Sequence, residues 1–242
     1  YQRLTGKQIG SKYGFIANGL FQSEEEIANS ATVKGYKALP GYIKYVDRNG
    51  DGIITAAQDQ GYVGKSATPK HTGSLNLFGN WKGFDFDLLF SWGLGNVVAL
   101  TGQYTASGSE GTQDNTSFTK PFYHGGNSPT FLVENSWTPD HTNAEFPRLE
   151  ITGPSNNNGY SSTFWYRNGN YMRLKTAQIG YNFPKKWLNP AGIEGLRLYV
   201  EGYNLLTFSG LTKYNIDPES PAVNNGYYPQ QRTYTLGVKL TF

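Results

Sequence analysis

The sequence has no cysteine, one methionine and few charged residues. Among its 242 residues are 21 Lys and Arg and 18 Asp and Glu. The absence of cysteine excludes disulfides, zinc–thiolate sites and thiol nucleophiles. The net charge of +3 comes from scattered basic residues rather than the cluster that binds nucleic acid, so we expect no nucleic-acid partner. No apolar run approaches the roughly 20 residues of a membrane-spanning helix, which excludes a helical membrane protein.

Aromatic residues and glycine are abundant instead. The chain contains 18 Tyr, 14 Phe, 5 Trp and 30 Gly. This composition favours strands and turns over helices, and an aromatic content of 15% is too high for a disordered chain. The composition predicts an all-β protein.

Period-2 alternation of apolar residues predicts strands along the chain. It is clearest in residues 84–92, which follow a strand at 71–80 and a tight turn at 81–83. Weaker alternation predicts strands at 171–183 and 195–208. In residues 84–92 large apolar side chains occupy every even position and therefore one face of the strand: Phe84, Phe86, Leu88, Phe90 and Trp92.

The same pattern closes the chain. Its apolar positions are Tyr234, Leu236, Val238, Leu240 and Phe242. A strand of a soluble β-sandwich alternates in this way, but transmembrane β-strands need about 9–11 residues and carry aromatics at both membrane interfaces. The segment therefore favours an outer-membrane strand, with Phe242 as part of the terminal strand needed for barrel assembly.

The connections between the predicted strands alternate in length. Those at 81–83 and 184–195 are short, whereas those at 22–70, 94–169 and 209–231 are long and polar. Outer-membrane barrels have short periplasmic turns and long extracellular loops. The pattern predicts an antiparallel transmembrane β-barrel segment whose long loops are extracellular.

A calcium-type loop begins at Asp47. The sequence DRNGDGII places oxygen ligands at Asp47, Asn49 and Asp51, and the backbone carbonyl of Ile53 is the next ligand of such loops. The twelfth position, normally an acidic residue, is Gln58, and Asp59 follows one residue late. The sequence thus predicts structural calcium bound by Asp47, Asn49, Asp51, Ile53 and Asp59, with a metal-free turn as the alternative.

Catalytic patterns are absent from the sequence. The three histidines show no metal-ligand spacing and no nucleophile-elbow or zinc-protease motif occurs, so we expect no enzymatic activity. Asp85 and Asp87 share a strand face and are interpreted as solvated rather than as paired catalytic carboxylates.

Loop aromatics are candidates for ligand binding. They either stack on sugar rings or pack the loops against one another, and the sequence favours packing. They are Tyr104, Trp137, Trp165 and Tyr166.

An ordered series of short motifs resembles the C-terminal part of SusC/RagA-type, TonB-linked outer-membrane transporters. Each motif is weak alone, but together they follow the family order over nearly the whole chain. They lie at 19–27 (GLFQSEEEI), 40–52 (PGYIKYVDRNGDG), 63–70 (VGKSATPK), 81–85 (WKGFD), 136–139 (SWTP), 146–149 (FPRL), 171–175 (YMRLK), 179–181 (IGY), 203–206 (YNLL), 217–219 (DPE) and Phe242.

This resemblance implies a 22-stranded barrel in the outer membrane of a Gram-negative bacterium. The chain would supply its last five to six strands, with residues 1–16 as a partial sixth strand or the start of a loop, and without the plug domain or the TonB box. The implied partners are a SusD-like lipoprotein, the TonB–ExbB–ExbD complex acting on the missing N-terminal region, outer-membrane lipid, and an oligosaccharide or peptide cargo.

Two other classes remain open from the residues. One is a soluble, calcium-stabilised β-sandwich that binds carbohydrate, in which Trp92 and Phe242 would be buried. The other is a secreted glycan-active enzyme, which requires a carboxylate pair at glycosidase separation.

Overall fold

The computed structural model describes residues 5–7, 9–64, 66–100, 130–149, 158–220 and 230–242. The chain divides into two compact units, Tyr1–Thr68 with Val97–Arg167, and Pro69–Asn96 with Asn168–Phe242. We call them the mixed unit and the sheet unit. Among the described residues no helix is long and apolar enough to cross a membrane.

The sheet unit contains one antiparallel five-stranded sheet, in which all five strands predicted from alternation form, with small shifts at their ends. Their bounds are β7 (His71–Trp81), β8 (Phe84–Leu94), β11 (Tyr171–Asn182), β12 (Gly195–Ser209) and β13 (Thr233–Thr241). Their order in the sheet is β13-β12-β11-β8-β7.

The strand register joins the apolar positions of neighbouring strands into one surface. Phe86 pairs with Ile179, Ile179 with Val200, and Val200 with Leu236. Leu88 pairs with Leu77 at the other side of the sheet. Because paired residues point to the same face and side chains alternate along a strand, the apolar positions of all five strands share one face.

A bulge explains why the alternation in β11 and β12 is weak. The register of β11 shifts between Leu174 and Thr176 against both of its neighbours. In β12, Asn204 has a φ of 53°, the left-handed conformation that Asn tolerates and that occurs at irregularities in sheets. In β11 one extra residue moves the apolar face from odd positions such as Ile179 to even positions such as Leu174, which pairs with Phe90. In β12 two extra residues break the run but leave the apolar face on even positions.

The two connections predicted to be short remain short. Lys82 and Gly83 join β7 to β8 with φ of 49° and 90°, which is the positive-φ pair of a type I′ hairpin. Between β11 and β12 lie helix α4 (Lys185–Leu188) and a 3₁₀ turn (Asn189–Ala191). Both connections leave the same end of the sheet, because Trp81, Phe84, Asn182 and Arg197 are at that end of the register.

Much of the chain that we interpreted as long loops folds into the mixed unit. Its elements are β1 (Lys12–Gly14), β2 (Ala17–Leu20), α1 (Glu24–Ala28), β3 (Thr32–Val33), β4 (Ile43–Tyr45), β5 (Ile53–Ile54), α2 (Ala56–Asp59), β6 (Gly61–Gly64), β9 (Val97–Ala99), α3 (Thr130–Glu134), a 3₁₀ turn (Thr163–Trp165) and β10 (Tyr166–Asn168). Strand β1 pairs with β6, β2 with β4, β3 with β5, and β9 with β10.

The mixed unit also corrects the prediction for residues 1–16. Their one described strand, β1, pairs with β6 inside this unit and is not a sixth strand of the sheet. Tyr13 pairs with Tyr62 in that short ladder. The alternative prediction, that these residues begin a loop region, agrees better with the structure.

An aromatic cluster lies in the core of the mixed unit. The ring of Phe15 lies 5.0 Å from that of Tyr45 and 5.6 Å from that of Tyr160. Burial raises the pKa of Tyr45 above its ordinary value, and burial also raises the pKa of Tyr160 to about 12. Both phenols therefore stay protonated at neutral pH and pack as uncharged rings. Ile43, Ile54 and other apolar residues complete the core.

Candidate functional site

The apolar face of the sheet is the largest functional feature of the sheet unit. We call it the apolar sheet face. Leu236 is 77% exposed and Phe242 is 82% exposed, although both are large and apolar. A continuous exposed apolar surface of this kind marks contact with a membrane or another protein. Its exposed members include Leu75, Leu77, Trp81, Phe84, Phe86, Met172, Ile179, Leu198, Val200, Leu206, Phe208, Tyr234, Leu236, Val238 and Leu240.

This exposure does not favour the soluble sandwich. A sandwich buries the apolar face of each sheet against a second sheet, and Phe242 would then be buried. In the structure Phe242 is almost fully exposed, and Trp92 is half-buried.

The opposite face, the polar sheet face, carries an ion-pair cluster near the short connections. Arg197 Nε donates to Asp85 Oδ2 at 3.0 Å, and Asn182 Nδ2 donates to the same oxygen at 2.7 Å. Arg197 Nη2 also donates to Gln178 Oε1 at 2.8 Å. The guanidinium lies over Gly180, where a Cβ would come within 2.6 Å of Arg197 Nη2. Asp85 is thus ion-paired, which corrects the prediction that it is simply solvated.

A second cluster lies on the polar sheet face near the other end of the strands. Its centre is Arg173, which is 2% exposed. Arg173 Nη2 donates to both carboxylate oxygens of Asp217 at 2.8 Å, and Nη1 donates to Glu219 Oε2 at 2.6 Å. Arg173 Nε donates to Thr207 Oγ1 at 3.0 Å. Lys175 Nζ lies 2.9 Å from the same oxygen of Glu219.

The sequence did not reveal this Arg173 cluster. Asp217 and Glu219 belong to the DPE motif, and Arg173 to the YMRLK motif, but about 44 residues separate them. The sequence contains one indication of the cluster. Two basic residues lie at alternate positions, 173 and 175, and two carboxylates lie at alternate positions, 217 and 219. This equal spacing allows the four residues to pair, but the neighbouring sequence does not show that these two segments meet.

The predicted calcium loop is closed by its own hydrogen bonds. Asp47 Oδ1 accepts from Gly50 N, and Oδ2 accepts from Gly52 N, both at 2.7 Å. These amides, Gly52 first, lower the pKa of Asp47, so its carboxylate is ionised at neutral pH. Asp51 Oδ1 accepts from Ile53 N at 2.9 Å, and Asp51 Oδ2 accepts from Asn49 Nδ2 at 2.8 Å.

Asp59 lies beneath this loop rather than at its rim. It is fully buried, and its carboxylate accepts from Arg48 N at 2.9 Å and from Thr55 N at 2.7 Å. Asp59 therefore joins both ends of the loop through backbone amides. The described part of the chain contains no group of three or more His, Asp or Glu arranged to hold a metal ion. Calcium at Asp47, Asn49, Asp51, Ile53 and Asp59 stays a prediction.

Two of the four candidate stacking aromatics are buried in the mixed unit. Trp137 is 6% exposed and donates from Nε1 to Gln22 Oε1 at 3.0 Å. Trp165 is 3% exposed and donates from Nε1 to Asn158 O at 2.6 Å. Neither ring presents a face to a ligand, which corrects their assignment as ligand-binding residues and agrees with the packing alternative.

The other two aromatics have different outcomes. Tyr166 is half-buried, and its hydroxyl lies 2.8 Å from Ser161 Oγ; ligand stacking by this ring stays a prediction. Tyr104 lies outside the described residues.

The chain is similar in sequence to TonB-dependent receptors. TonB-dependent receptor P3 of Formosa agariphila is 31% identical over 251 residues that cover 98% of this chain and 22% of the relative. TonB-dependent receptor P26 of the same organism is 29% identical over 255 residues that cover 99% of this chain and 23% of the relative. This chain thus spans less than a quarter of the length of these two relatives. No family model matches it.

Solved structures show the same fold. The structure of the RagAB peptide transporter matches 96% of this chain and 23% of its own, with a TM-score of 0.62 and 24% sequence identity. The RagAB peptide importer in the "open-open" state matches with a TM-score of 0.61.

Proposed function

The chain belongs to the SusC/RagA-type TonB-dependent receptors, and we propose that it forms part of an outer-membrane transporter that imports nutrients. In this proposal the sheet unit is five strands of the transmembrane barrel, and the barrel is the C-terminal domain of a longer protein with 22 strands. The location is the outer membrane of a Gram-negative bacterium. No enzymatic step is part of the function.

The apolar sheet face is the observation that carries the proposal. It would contact lipid, while the polar sheet face, with Asp85 and Arg197, would line the lumen. Lipid-facing and lumen-facing residues alternate along barrel strands, as they do in β8 and β13. The strands have 9 to 15 residues, and about 9–11 tilted residues cross the hydrocarbon core.

The partners follow from the family rather than from the contacts. We propose that a SusD-like lipoprotein delivers the cargo from outside, and that the TonB–ExbB–ExbD complex supplies energy through the N-terminal region of the full-length protein. The proposed cargo is an oligosaccharide or a peptide. One solved structure of the same fold is described as a peptide transporter, which supports a peptide cargo, whereas the oligosaccharide rests on the family resemblance alone.

The topology can be tested by labelling single cysteines in intact cells. Glu25 is an exposed residue of α1, in the long connection proposed to be extracellular. Lys186 is an exposed residue of α4, in the short connection at the proposed periplasmic end of the sheet. Each is replaced by cysteine. Each variant of the full-length transporter is treated with a membrane-impermeant maleimide before and after the outer membrane is permeabilised. The 242 residues have no cysteine of their own, and the parent protein corrects for any cysteine elsewhere.

We expect Glu25→Cys to react in intact cells and Lys186→Cys to react only after permeabilisation. Reaction of both at equal rates in intact cells would contradict the proposed topology. If only Lys186→Cys reacts in intact cells, the orientation is opposite to the one proposed, and the proposed topology is contradicted as well.

A further inference from the structure

We propose that Arg173 is a positioning residue that holds residues 211–220 across the polar sheet face. The consequence of this inference rests on the proposed function. If the polar sheet face lines the lumen of a barrel, a segment held across that face narrows the outer mouth of the lumen. We call residues 211–220 the strap.

The register puts the Arg173 cluster on the polar sheet face, which lines the lumen in the proposed barrel. Arg173 pairs with Thr207 and with Ser91, while its neighbour Met172 pairs with Trp92 on the apolar sheet face. Side chains of adjacent residues point to opposite faces. Arg173 therefore points to the polar face, and it lies two residues from the start of β11, at the end of the sheet away from the short connections.

The strap is a structured segment rather than a loose loop. Leu211, Tyr214 and Ile216 are buried, and Ile216 N donates to Leu211 O at 3.3 Å. A 3₁₀ turn (Thr212–Tyr214) precedes the carboxylates. Asp217 Oδ1 also accepts from Glu219 N at 2.9 Å, which fixes the two carboxylates relative to each other before they meet the arginine.

Arg173 makes the charged contacts on which the strap depends most. It binds Asp217 through two oxygens and Glu219 through a third, and it also donates to Gln230 Oε1. Such bidentate, charge-assisted bonds are roughly twice as strong as neutral ones. If one partner of a buried pair is removed, the remaining charge loses its compensation, which is strongly unfavourable. Without Arg173, Lys175 still pairs with Glu219, but Asp217 loses both of its bonds to the guanidinium. The strap should then leave the sheet at Asp217 so that water can solvate this carboxylate.

The first experiment measures release of the strap in the full-length transporter. Ser220→Cys provides a nearly isosteric reporter, since Ser220 is buried at the end of the strap and its N–H bonds to Asp217 O. The rate of maleimide labelling is measured in detergent for three proteins: Ser220→Cys alone, Ser220→Cys combined with Arg173→Met, and Ser220→Cys combined with Arg173→Lys. We expect at least tenfold faster labelling with methionine and a smaller increase with lysine, which keeps the charge but loses the bidentate geometry.

Arg197→Met is the matched control. It removes an arginine from the polar sheet face and breaks the ion pair with Asp85, but at the other end of the strands. Labelling of Ser220→Cys should keep the wild-type rate in this background. Equal rates with and without Arg173 in folded protein would overturn the proposal, and so would equal acceleration by Arg173→Met and Arg197→Met.

A second reporter tests whether the strap narrows the mouth. Asp87→Cys lies farther along the polar face, level with Gln178. Intact cells are treated with a small maleimide and with a maleimide on a large polyethylene glycol. Arg173→Met should accelerate the large reagent several-fold more than the small one, whereas an unchanged ratio would refute the narrowing. The Glu25→Cys and Lys186→Cys pair reports separately whether the topology itself is wrong.

Discussion

Glycine at position 41 is required for two independent reasons. Its φ is 88°, a conformation that costs a residue with a Cβ about 1–2 kcal/mol. A Cβ there would also lie 2.6 Å from Cε3 of Trp137. The buried tryptophan thus fits into the space that the missing side chain leaves.

We therefore expect Gly41→Ala to destabilise the mixed unit by about 3 kcal/mol, the sum of backbone strain and overpacking. Gly35→Ala is the matched control, because Gly35 has a φ of 84° but nothing lies within 4 Å of its Cβ position. It should cost about 1 kcal/mol. Hydrogen exchange of the full-length protein around residues 39–46 measures the difference, and equal protection in both variants would show that Trp137 does not restrict this position.

Calcium at the Asp47 loop remains our proposal at the same scale. The ionised Asp47 and the oxygens of Asn49 and Asp51 have the chemistry that calcium requires, but each of these side chains already takes part in the hydrogen bonds of the loop. Calcium would have to add to this network rather than create the loop.

The test is the thermal stability of the full-length protein with millimolar calcium or with a chelator. Calcium at about 100 times its Kd would add about 2.7 kcal/mol, and Asp51→Asn should abolish the effect. Gln58→Glu restores the acidic residue at the twelfth position and should strengthen binding. If calcium changes neither the wild type nor Gln58→Glu, the loop is a metal-free turn.

Individual residues were the hardest to predict from the sequence. Trp137 has polar neighbours in the sequence and Trp165 lies in a short aromatic run without strand periodicity. Only the tertiary structure shows that both enter a core. Arg173 gave no local sign of its burial, because its partners at 217 and 219 come from a distant segment. The turn at Asp47 was easier to predict, since the amides that donate to its carboxylate belong to Gly50 and Gly52, only three and five residues away.

At the scale of elements, β13 shows how the two faces of one strand divide their roles. Leu236 lies on the apolar sheet face, and Thr235 beside it points to the polar face, where it pairs with Glu201. The two positions are adjacent, similarly placed along the strand and both exposed.

An arginine at each position separates lipid contact from a general effect of charge. Leu236→Arg should destabilise the barrel by about 2–4 kcal/mol, the cost of a lipid-facing arginine near the membrane midplane. Thr235→Arg should cost close to nothing because it enters the polar face beside a glutamate. Urea unfolding of the full-length protein in lipid vesicles gives the change in free energy of unfolding for each variant. An equal loss of stability at the two positions would refute the assignment of the faces.

The strands were predictable to different degrees for a physical reason. Residues 84–92 and 234–242 alternate without interruption, since one face is apolar throughout and the period of a strand is two. In β11 the single extra residue near Lys175 shifts the apolar face from odd to even positions. In β12 two extra residues near Asn204 interrupt the pattern but leave the apolar face on even positions. The mixed unit was missed because its strands have only two to four residues, too few for a period to appear.

At the scale of the whole molecule, the sheet unit is incomplete without neighbours. Within the described residues β7 and β13 are the edge strands of an open sheet, and unpaired edges promote association with other strands. The chain matches 22% to 25% of the length of its sequence relatives. In the full-length protein we expect both edges to be paired by further strands, as the proposed barrel requires.

Closure into the proposed barrel would pair the edges but would leave the apolar sheet face exposed, because the proposal places that face on the outside. The full-length protein should therefore stay monodisperse in detergent and associate when the detergent is removed, since only lipid or detergent can cover a continuous apolar band. Light scattering before and after detergent removal measures this. A protein that remains monodisperse without detergent must cover Leu236, Val200 and Phe86 with its own residues, which would contradict the lipid-facing assignment even if the barrel is closed.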